Sequence, residues 1–148
     1  MQRKSFGAMP CPIARSLERV GEWWSILILR DAFAGMTRFE EFRESLSIAP
    51  NMLTRRLNAL VEAGLLERQR YSERPPRDEY HLTARGRALA PVLMAIQEWA
   101  YAELDEEGRT MRFPHGDHAA DPVSRFTCRT CGRPLDGRPH AHGAPAGA

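Results

Sequence analysis

The stretch that decides the fold is residues 50–64, which read PNMLTRRLNALVEAG. Apolar residues recur in it every three or four positions, so that Leu53, Leu57 and Leu60 fall on one side of a helix. Proline suits the first turn of such a helix, and glycine suits the position just past its last turn. The stretch therefore predicts an amphipathic helix over residues 50–63.

The polar residues of this helix point away from its apolar side. Four of them, Asn51, Thr54, Arg55 and Asn58, belong to the types that contact DNA, because arginine pairs with guanine, asparagine with adenine, and threonine with phosphate or a thymine methyl group. Those nearest the N-terminus are the candidate base contacts, since that end of a reading helix enters the major groove. An ordinary solvated face has the same composition, so this helix alone does not establish DNA binding.

Three shorter helical patterns precede it. The first begins at Pro12 and places Ile13 and Leu17 on one face. The second, residues 23–33, is apolar nearly all round, which indicates a buried central helix. The third begins at Thr37, which forms a capping box with Glu40. It ends where the residue before a proline disfavours helical geometry.

The pattern changes after the glycine that closes the deciding stretch. Residues 66–71 and 79–82 alternate as two short strands, separated by a proline-bearing loop over residues 72–77. Thr83 then begins one long helix, in which Pro91 should cause a bend or leave a carbonyl unpaired.

This order of elements predicts a mainly α (α+β) fold, a winged helix-turn-helix. It has a two-stranded wing, a long C-terminal dimerisation helix and a short tail with cysteine and histidine. We expect an N-terminal arm at residues 1–10, the winged domain at 11–107 and the tail at 108–148.

The distribution of charge supports DNA as the partner, although the net charge of +2 does not. Between Asn51 and Arg87 eight arginines stand against five acidic residues. Arg74 and Arg77 lie at the tip of the predicted wing, where they would meet the backbone of an adjacent minor groove. Arg38 and Arg70 are the further candidate DNA contacts.

Several motifs in one order resemble the HxlR-type regulators of bacteria. They are residues 11–13 (CPI), 21–31 (GEWWSILILRD), 38–42 (RFEEF), 53–57 (LTRRL), 60–65 (LVEAGL) and 80–86 (YHLTARG). The resemblance implies a dimeric winged-helix transcriptional regulator, with the first and last helices at the dimer interface and the helix at 53–57 reading DNA. The element at 21–24 departs from the family's usual lysine-containing form.

The pattern of apolar residues supports a homodimer independently. A lone domain of this size has little core to cover the apolar positions of its first and last helices. Two copies would bury them and set two reading helices one DNA turn apart, which predicts an inverted-repeat operator for a repressor. The expected interface residues are Ile13, Leu17, Val92, Ile96, Trp99 and Leu104.

The first cysteine of the chain, Cys11, has two interpretations. It is a small, partly buried apolar residue, or it senses oxidants through a thiol whose pKa is lowered by the helix N-terminus. The resemblance bears on this choice, because some HxlR-type members sense oxidants or quinones at this position. The expected effector is a small molecule or, under the second interpretation, an oxidant.

The tail contains a second cysteine motif, Cys128 and Cys131, with two residues between them. Such a turn lets two thiolates hold one zinc ion, and His115 with His118 would complete the four ligands. Other interpretations are a disordered tail, a reversible disulfide or adventitious metal affinity. No cofactor is required by the rest of the chain.

Two other classes of function are open to this sequence. A thiol oxidoreductase using Cys128 and Cys131 would need a βαβ unit, and none is visible; nor is a GxGxxG, P-loop or HExxH motif. A protein-interaction module would bind its partner with little dependence on salt. The N-terminus lacks a secretory pattern and no apolar run is long enough for a membrane span, so we expect a cytoplasmic protein without a membrane partner.

Overall fold

The computed structural model describes residues 12–20, 22–104, 114–115, 118–119, 126–127 and 129, with only the backbone for residues 15, 18 and the four in 114–119. Within these ranges the helices are α1 (Pro12–Val20), α2 (Trp23–Phe33), α3 (Phe39–Leu46), α4 (Pro50–Glu62), α5 (Ala84–Arg87) and α6 (Ala90–Glu103). The strands are β1 (Leu66–Glu73), β2 (Pro76–Leu82), β3 (Pro114–His115) and β4 (His118–Ala119). The order confirms a winged helix-turn-helix.

The chain divides into two compact units, Met1–Leu93 and Met94–Ala148. The first contains the core, to which α2 contributes the fully buried Ile28 and Leu29, but the helix is not buried all round as predicted, because Trp23 is 87 % exposed. The second contains most of α6 and the short antiparallel ladder of β3 with β4. No helix in the described ranges is long and apolar enough to cross a membrane. The largest fully buried side chains are Ile28, Leu29, Phe42, Leu53, Leu57, Leu60 and Leu66.

The start of α3 corrects the predicted capping box. The helix begins at Phe39, and the carboxylate of Glu41, not Glu40, accepts the backbone N–H groups of Thr37 at 2.9 Å and Arg38 at 2.8 Å. Residues 37 and 38 are held extended by the wing. Tyr80 donates its N–H to the Thr37 carbonyl at 2.7 Å, and Arg38 forms an antiparallel bridge with Glu79. This pairing delays the helix and makes a different glutamate its cap.

The turn between α3 and α4 contains Ser47 in the left-handed conformation, with φ of 49° and ψ of 37°. Ile48 is buried, and Ala49 is extended before Pro50, as expected for a residue that precedes proline. The predicted interruption is therefore confirmed. α4 ends at Glu62, one residue earlier than predicted, and Gly64 follows with φ of 70°.

The wing is longer than the sequence suggests, and the predicted six-residue loop is wrong. The two strands pair antiparallel from Leu66 opposite Leu82 to Glu73 opposite Pro76. Only residues 74 and 75 form the turn, because cross-strand pairing continues through the polar segment beyond an irregularity between positions 70 and 72. The side chain of Ser72 donates to the carbonyl of Pro75 at 2.9 Å, which braces this turn.

The prediction of one long last helix is also wrong. Thr83 does act as a cap, because its hydroxyl accepts the N–H of Gly86 at 3.0 Å, but the helix that it begins lasts only four residues. A second helix, α6, begins at Ala90. Pro91 thus falls in the first turn of α6, where a backbone N–H has no partner within the helix, so it neither bends a helix nor removes a hydrogen bond.

Candidate nucleic-acid interface

α4 divides into a buried and an exposed side. Leu53, Leu57 and Leu60 are fully buried, which fixes the rotation of the helix about its axis. The residues predicted to contact DNA lie on the other side and are all exposed; they are Asn51, Thr54, Arg55 and Asn58. The structure therefore confirms the predicted arc, while contact of these residues with DNA remains a prediction.

The side chains of this arc are available to a ligand. Within the described part of the chain, Asn51, Arg55 and Asn58 have no intramolecular hydrogen-bonding partner. Thr54 donates its hydroxyl to the carbonyl of Pro50 at 3.0 Å, so that its methyl group and an oxygen lone pair are left for contacts. One guanidinium and two carboxamides on an exposed helix face can bond directly to base edges.

Arg56, the neighbour of Arg55, has a structural contact that the sequence did not indicate. Its side chain is only 17 % exposed, and its Nη2 lies 3.3 Å from Oε2 of Glu22. This ion pair connects α4 with the residue that precedes α2. Nothing in the sequence separates the two arginines except a rotation of 100° about the helix axis.

The wing presents two of its predicted arginines freely and engages a third. Arg74 and Arg77 are exposed at the turn and have no ion-pair partner among the described residues. Arg70 donates from Nε to Asp78 at 2.9 Å, which lowers the pKa of the Asp78 carboxyl and raises the pKa of Arg70. Its charge is therefore largely compensated within the wing, and Glu73 lies 3.9 Å from it.

Arg38 is held between the wing strands. Its Nε donates to Oε1 of Glu79 at 3.1 Å, and its guanidinium lies 4.8 Å from the centre of the Tyr71 ring. The hydrogen bond to Glu79 and the interaction with Tyr71 raise the pKa of Arg38 further above its usual value. Although predicted only as a DNA contact, Arg38 attaches the start of α3 to both strands of the wing. A sequence shows no sign of this role, because the partners are more than 30 positions away.

The predicted dimer residues are all exposed in the single chain. Ile13 and Leu17 lie on α1, Val92, Ile96 and Trp99 lie on α6, and Leu104 follows that helix. Exposed apolar residues of this size on two helices are typical of surfaces that are covered in an assembly.

The predicted sensor and metal sites depend on residues beyond those described. Cys11, Cys128 and Cys131 all lie outside the described residues. His115 and His118 are paired across the short β3–β4 ladder, which brings their backbones together. Over the part of the chain that is described, no group of three or more His, Cys, Asp or Glu could hold a metal ion.

Comparison with known proteins identifies a family for this chain. A family model described as HxlR-like helix-turn-helix matches residues 19–108. An HTH-type transcriptional regulator of Mycobacterium bovis is 41% identical over 130 residues, which cover 85% of this chain and 80% of the relative.

Two solved structures extend the comparison to the fold. A candidate transcription factor from Pseudomonas aeruginosa shares 50% identity and superimposes with a TM-score of 0.64, covering 93% of this chain and 95% of its own. The redox regulator HypR, in its reduced form, shares 34% identity with a TM-score of 0.60, covering 64% of this chain and 95% of its own.

Proposed function

Because this chain belongs to the HxlR-like helix-turn-helix family, whose members are DNA-binding transcription regulators and not enzymes, we propose that it represses transcription as a homodimer on an inverted-repeat operator. The observation that supports this most strongly is the exposed face of α4. Asn51, Arg55 and Asn58 project from it without intramolecular partners among the described residues.

The division of labour in the complex follows from which side chains are free. α4 enters the major groove, where Arg55 pairs with a guanine and the asparagines pair with adenines. Arg74 and Arg77 at the wing turn neutralise phosphates, which adds affinity without sequence preference. Arg38 and Arg70 contribute mainly by holding the wing in place, since both already bond to carboxylates.

The homodimer is supported by the exposed apolar side chains of α1 and α6. These side chains are 47–70 % exposed in the single chain, so burying each one between two copies contributes roughly half of the 1.5–3 kcal/mol gained by a fully exposed side chain, and the residues of both copies together offset the cost of association. Two copies related by a two-fold axis present two α4 helices to one face of the duplex.

The operator is tested by selecting bound sequences from random duplex DNA and measuring affinity for the selected site by fluorescence anisotropy. We expect affinity to fall steeply between low and moderate salt, because the wing releases counterions from phosphates. Moving the half-sites apart by half a helical turn should abolish specific binding. Undiminished affinity for the respaced duplex would contradict the dimeric mode of binding.

Replacement of Arg55 tests the assignment of α4. Arg55→Ala removes one bidentate base contact from each half-site, each worth roughly 1–3 kcal/mol, and should weaken binding of the dimer to the selected site by about 30-fold or more. Arg19→Ala removes an equal charge and should have less than about a twofold effect, because Arg19 is exposed on α1 and lies about 160° round the helix from Leu17 of the proposed interface. Equal losses in the two variants would show that Arg55 acts only through net charge.

An oxidant effector acting through Cys11 is a further part of the proposal. The similarity to a redox regulator supports it, and so does the position of the cysteine immediately before α1. Diamide should release the wild-type protein from its operator but leave Cys11→Ser bound. Release of both proteins would assign sensing to another group.

The last part of the proposal is a structural zinc ion bound by the tail. The antiparallel pairing of His115 with His118 brings their backbones together, which supports a site shared with Cys128 and Cys131. Protein purified without a histidine tag should contain close to one zinc per chain. A ratio near zero would exclude the site.

A further inference from the structure

A cleft opens beside the first turn of α2, on a part of the molecule to which the proposed DNA contacts do not belong. Its volume is about 340 Å³, and the described residues that line it are Glu22, Trp23, Trp24 and Leu27. Pockets that hold small organic molecules have volumes of roughly 300–1,000 Å³, so this cleft has room for one ring system with a short substituent.

The side chains that line the cleft favour a ligand with a positive charge. Trp24 is packed against the hydrophobic core, which makes it a fixed floor, whereas Trp23 is 87 % exposed and can close over a ligand. The faces of indole rings attract cations, quaternary ammonium groups included. Glu22 adds a carboxylate at the same place. Two indoles and one carboxylate favour an aromatic organic cation over a neutral molecule or an anion.

The same carboxylate connects the cleft to the DNA-reading helix. Glu22 lies 3.3 Å from the guanidinium of Arg56 on α4. Arg56 is mostly buried, and its Nε has no hydrogen-bond partner among the described residues. A cation that draws Glu22 towards the cleft would leave the Arg56 charge without compensation in a site of low solvent access. That state is costly, and a displacement of α4 would relieve it.

We propose that the cleft beside Trp23 binds an aromatic organic cation, and that its occupancy weakens DNA binding because the cation competes with Arg56 for Glu22. The effect on DNA binding rests on the proposed function, since it needs α4 to be the helix that binds the operator. Binding of the cation in the cleft does not depend on the proposed function, and the two statements are tested separately.

Binding to the cleft is measured without DNA, by titrating the full chain with phenyltrimethylammonium and following tryptophan fluorescence. The wild-type chain serves as the parent protein, because Trp99 belongs to the proposed dimer interface and is left unchanged; its emission is a constant background. We expect saturable quenching that Trp23→Ala weakens at least tenfold. Phenylacetate, an anion of similar size, should not saturate. Trp23 is so exposed that its replacement should leave the circular dichroism spectrum unchanged.

Three results would overturn the binding site. They are equal quenching by phenylacetate, an affinity unaffected by Trp23→Ala, and conversion of a dimer to a monomer by Trp23→Ala in sedimentation. The last would show that this cleft is an interface between two copies of the chain.

The coupling to DNA is measured as the Kd for the selected operator with and without saturating phenyltrimethylammonium. Tetramethylammonium at the same concentration controls for salt, which weakens DNA binding by itself. We expect the aromatic cation to raise Kd at least fivefold, the lower end of typical couplings between two sites. Glu22→Gln should bind the operator more weakly than the parent protein, because Arg56 has lost its carboxylate partner, and the aromatic cation should not raise its Kd further. A response retained in Glu22→Gln, or none in the parent protein, would contradict the coupling. No operator binding in any condition would instead contradict the proposed function.

Discussion

At the scale of single residues, one step along α4 separates an exposed arginine from a mostly buried one. Arg55 faces solvent and is free for DNA, whereas Arg56, rotated by 100°, is mostly buried against Glu22. The three buried leucines of the helix decide this rotation. A charge count treats the two arginines alike, although only one of them adds to the surface that DNA would meet.

Glu41 gives a prediction about pH. Its carboxylate accepts the N–H groups of Arg38 and Thr37, and these two hydrogen bonds lower its pKa below the ordinary 4.5. As pH falls, the unfolded chain therefore protonates Glu41 before the folded chain does. The stabilisation from the two hydrogen bonds is complete above the ordinary pKa of 4.5, and it is lost as pH falls through the lowered pKa of the folded chain. The advantage of the wild type over Glu41→Gln should be constant near neutral pH and shrink as pH is lowered below 4.5.

Urea unfolding of both proteins across this pH range measures the effect. Glu40→Gln is the matched control, because the Glu40 carboxylate pairs with Arg43 at 2.8 Å and caps no backbone group. An equal pH dependence in both variants would show that general charge, and not the cap, is responsible.

Gly86 gives a prediction about packing. A Cβ atom at this position would lie 2.1 Å from the carbonyl oxygen of Leu65 and 3.1 Å from a methyl carbon of Leu82. Because the first obstacle is backbone, α5 would have to move, and we expect Gly86→Ala to destabilise the protein by about 3 kcal/mol. At Gly35 nothing lies within 4 Å, so Gly35→Ala should cost only about 1 kcal/mol for its positive φ. Similar shifts in the two urea midpoints would contradict the clash.

At the scale of elements, the wing acts as a brace for the helices that precede it. Residues 37 and 38 pair with β2, and Arg38 bonds to Glu79 while its guanidinium lies over Tyr71. The two strands therefore do more than carry arginines towards DNA. They set where α3 begins and, through it, the position of the turn into α4.

The boundary between α5 and α6 can be tested with Pro91. Since Pro91 occupies the first turn of α6, Pro91→Ala should change stability by less than about 0.5 kcal/mol and leave the helical signal at 222 nm unchanged. In contrast, Ala95→Pro, placed in the interior of the same helix, should cost about 3 kcal/mol. A clear rise in helical signal for Pro91→Ala would mean that the proline alone keeps the two helices apart.

At the scale of the whole molecule, the apolar side chains of α6 are not buried by the described residues of the chain. None of the residues of α6 is buried, although most of its side chains are apolar. This is the reverse of α4, whose apolar side is fully covered within the chain. The difference supports a function for α6 that needs a second copy.

Ile96 tests the dimer directly. Ile96→Glu places a charge in the proposed interface and should convert the dimer to a monomer in sedimentation velocity, with at least a 100-fold loss of affinity for the full operator. Met94→Glu is the matched control, because Met94 is 53 % exposed against 49 % for Ile96 and lies about 160° away round the helix. Dissociation by Met94→Glu alone would place the interface on the other side of α6.

The sequence allowed accurate prediction wherever the determining interactions are local. The bounds of α1 and α2, the interruption before Pro50 and the exposed arc of α4 follow from helical periodicity, proline and glycine. The errors share another cause. The start of α3 depends on the bridge of Arg38 with Glu79, which lie about 40 positions apart. The length of the wing depends on the pairing of β1 with β2, whose paired residues lie about 10 positions apart.

By itself, then, the sequence determined the fold and the exposed side of α4, which we propose contacts DNA. Only the tertiary structure decided which arginines are free and which are structural. Arg55, Arg74 and Arg77 have no ion-pair partner among the described residues, whereas Arg38, Arg56 and Arg70 are paired with carboxylates. The reason is that periodicity fixes the direction of a side chain from its own helix or strand, whereas an ion pair depends on which distant carboxylate the fold brings within about 4 Å.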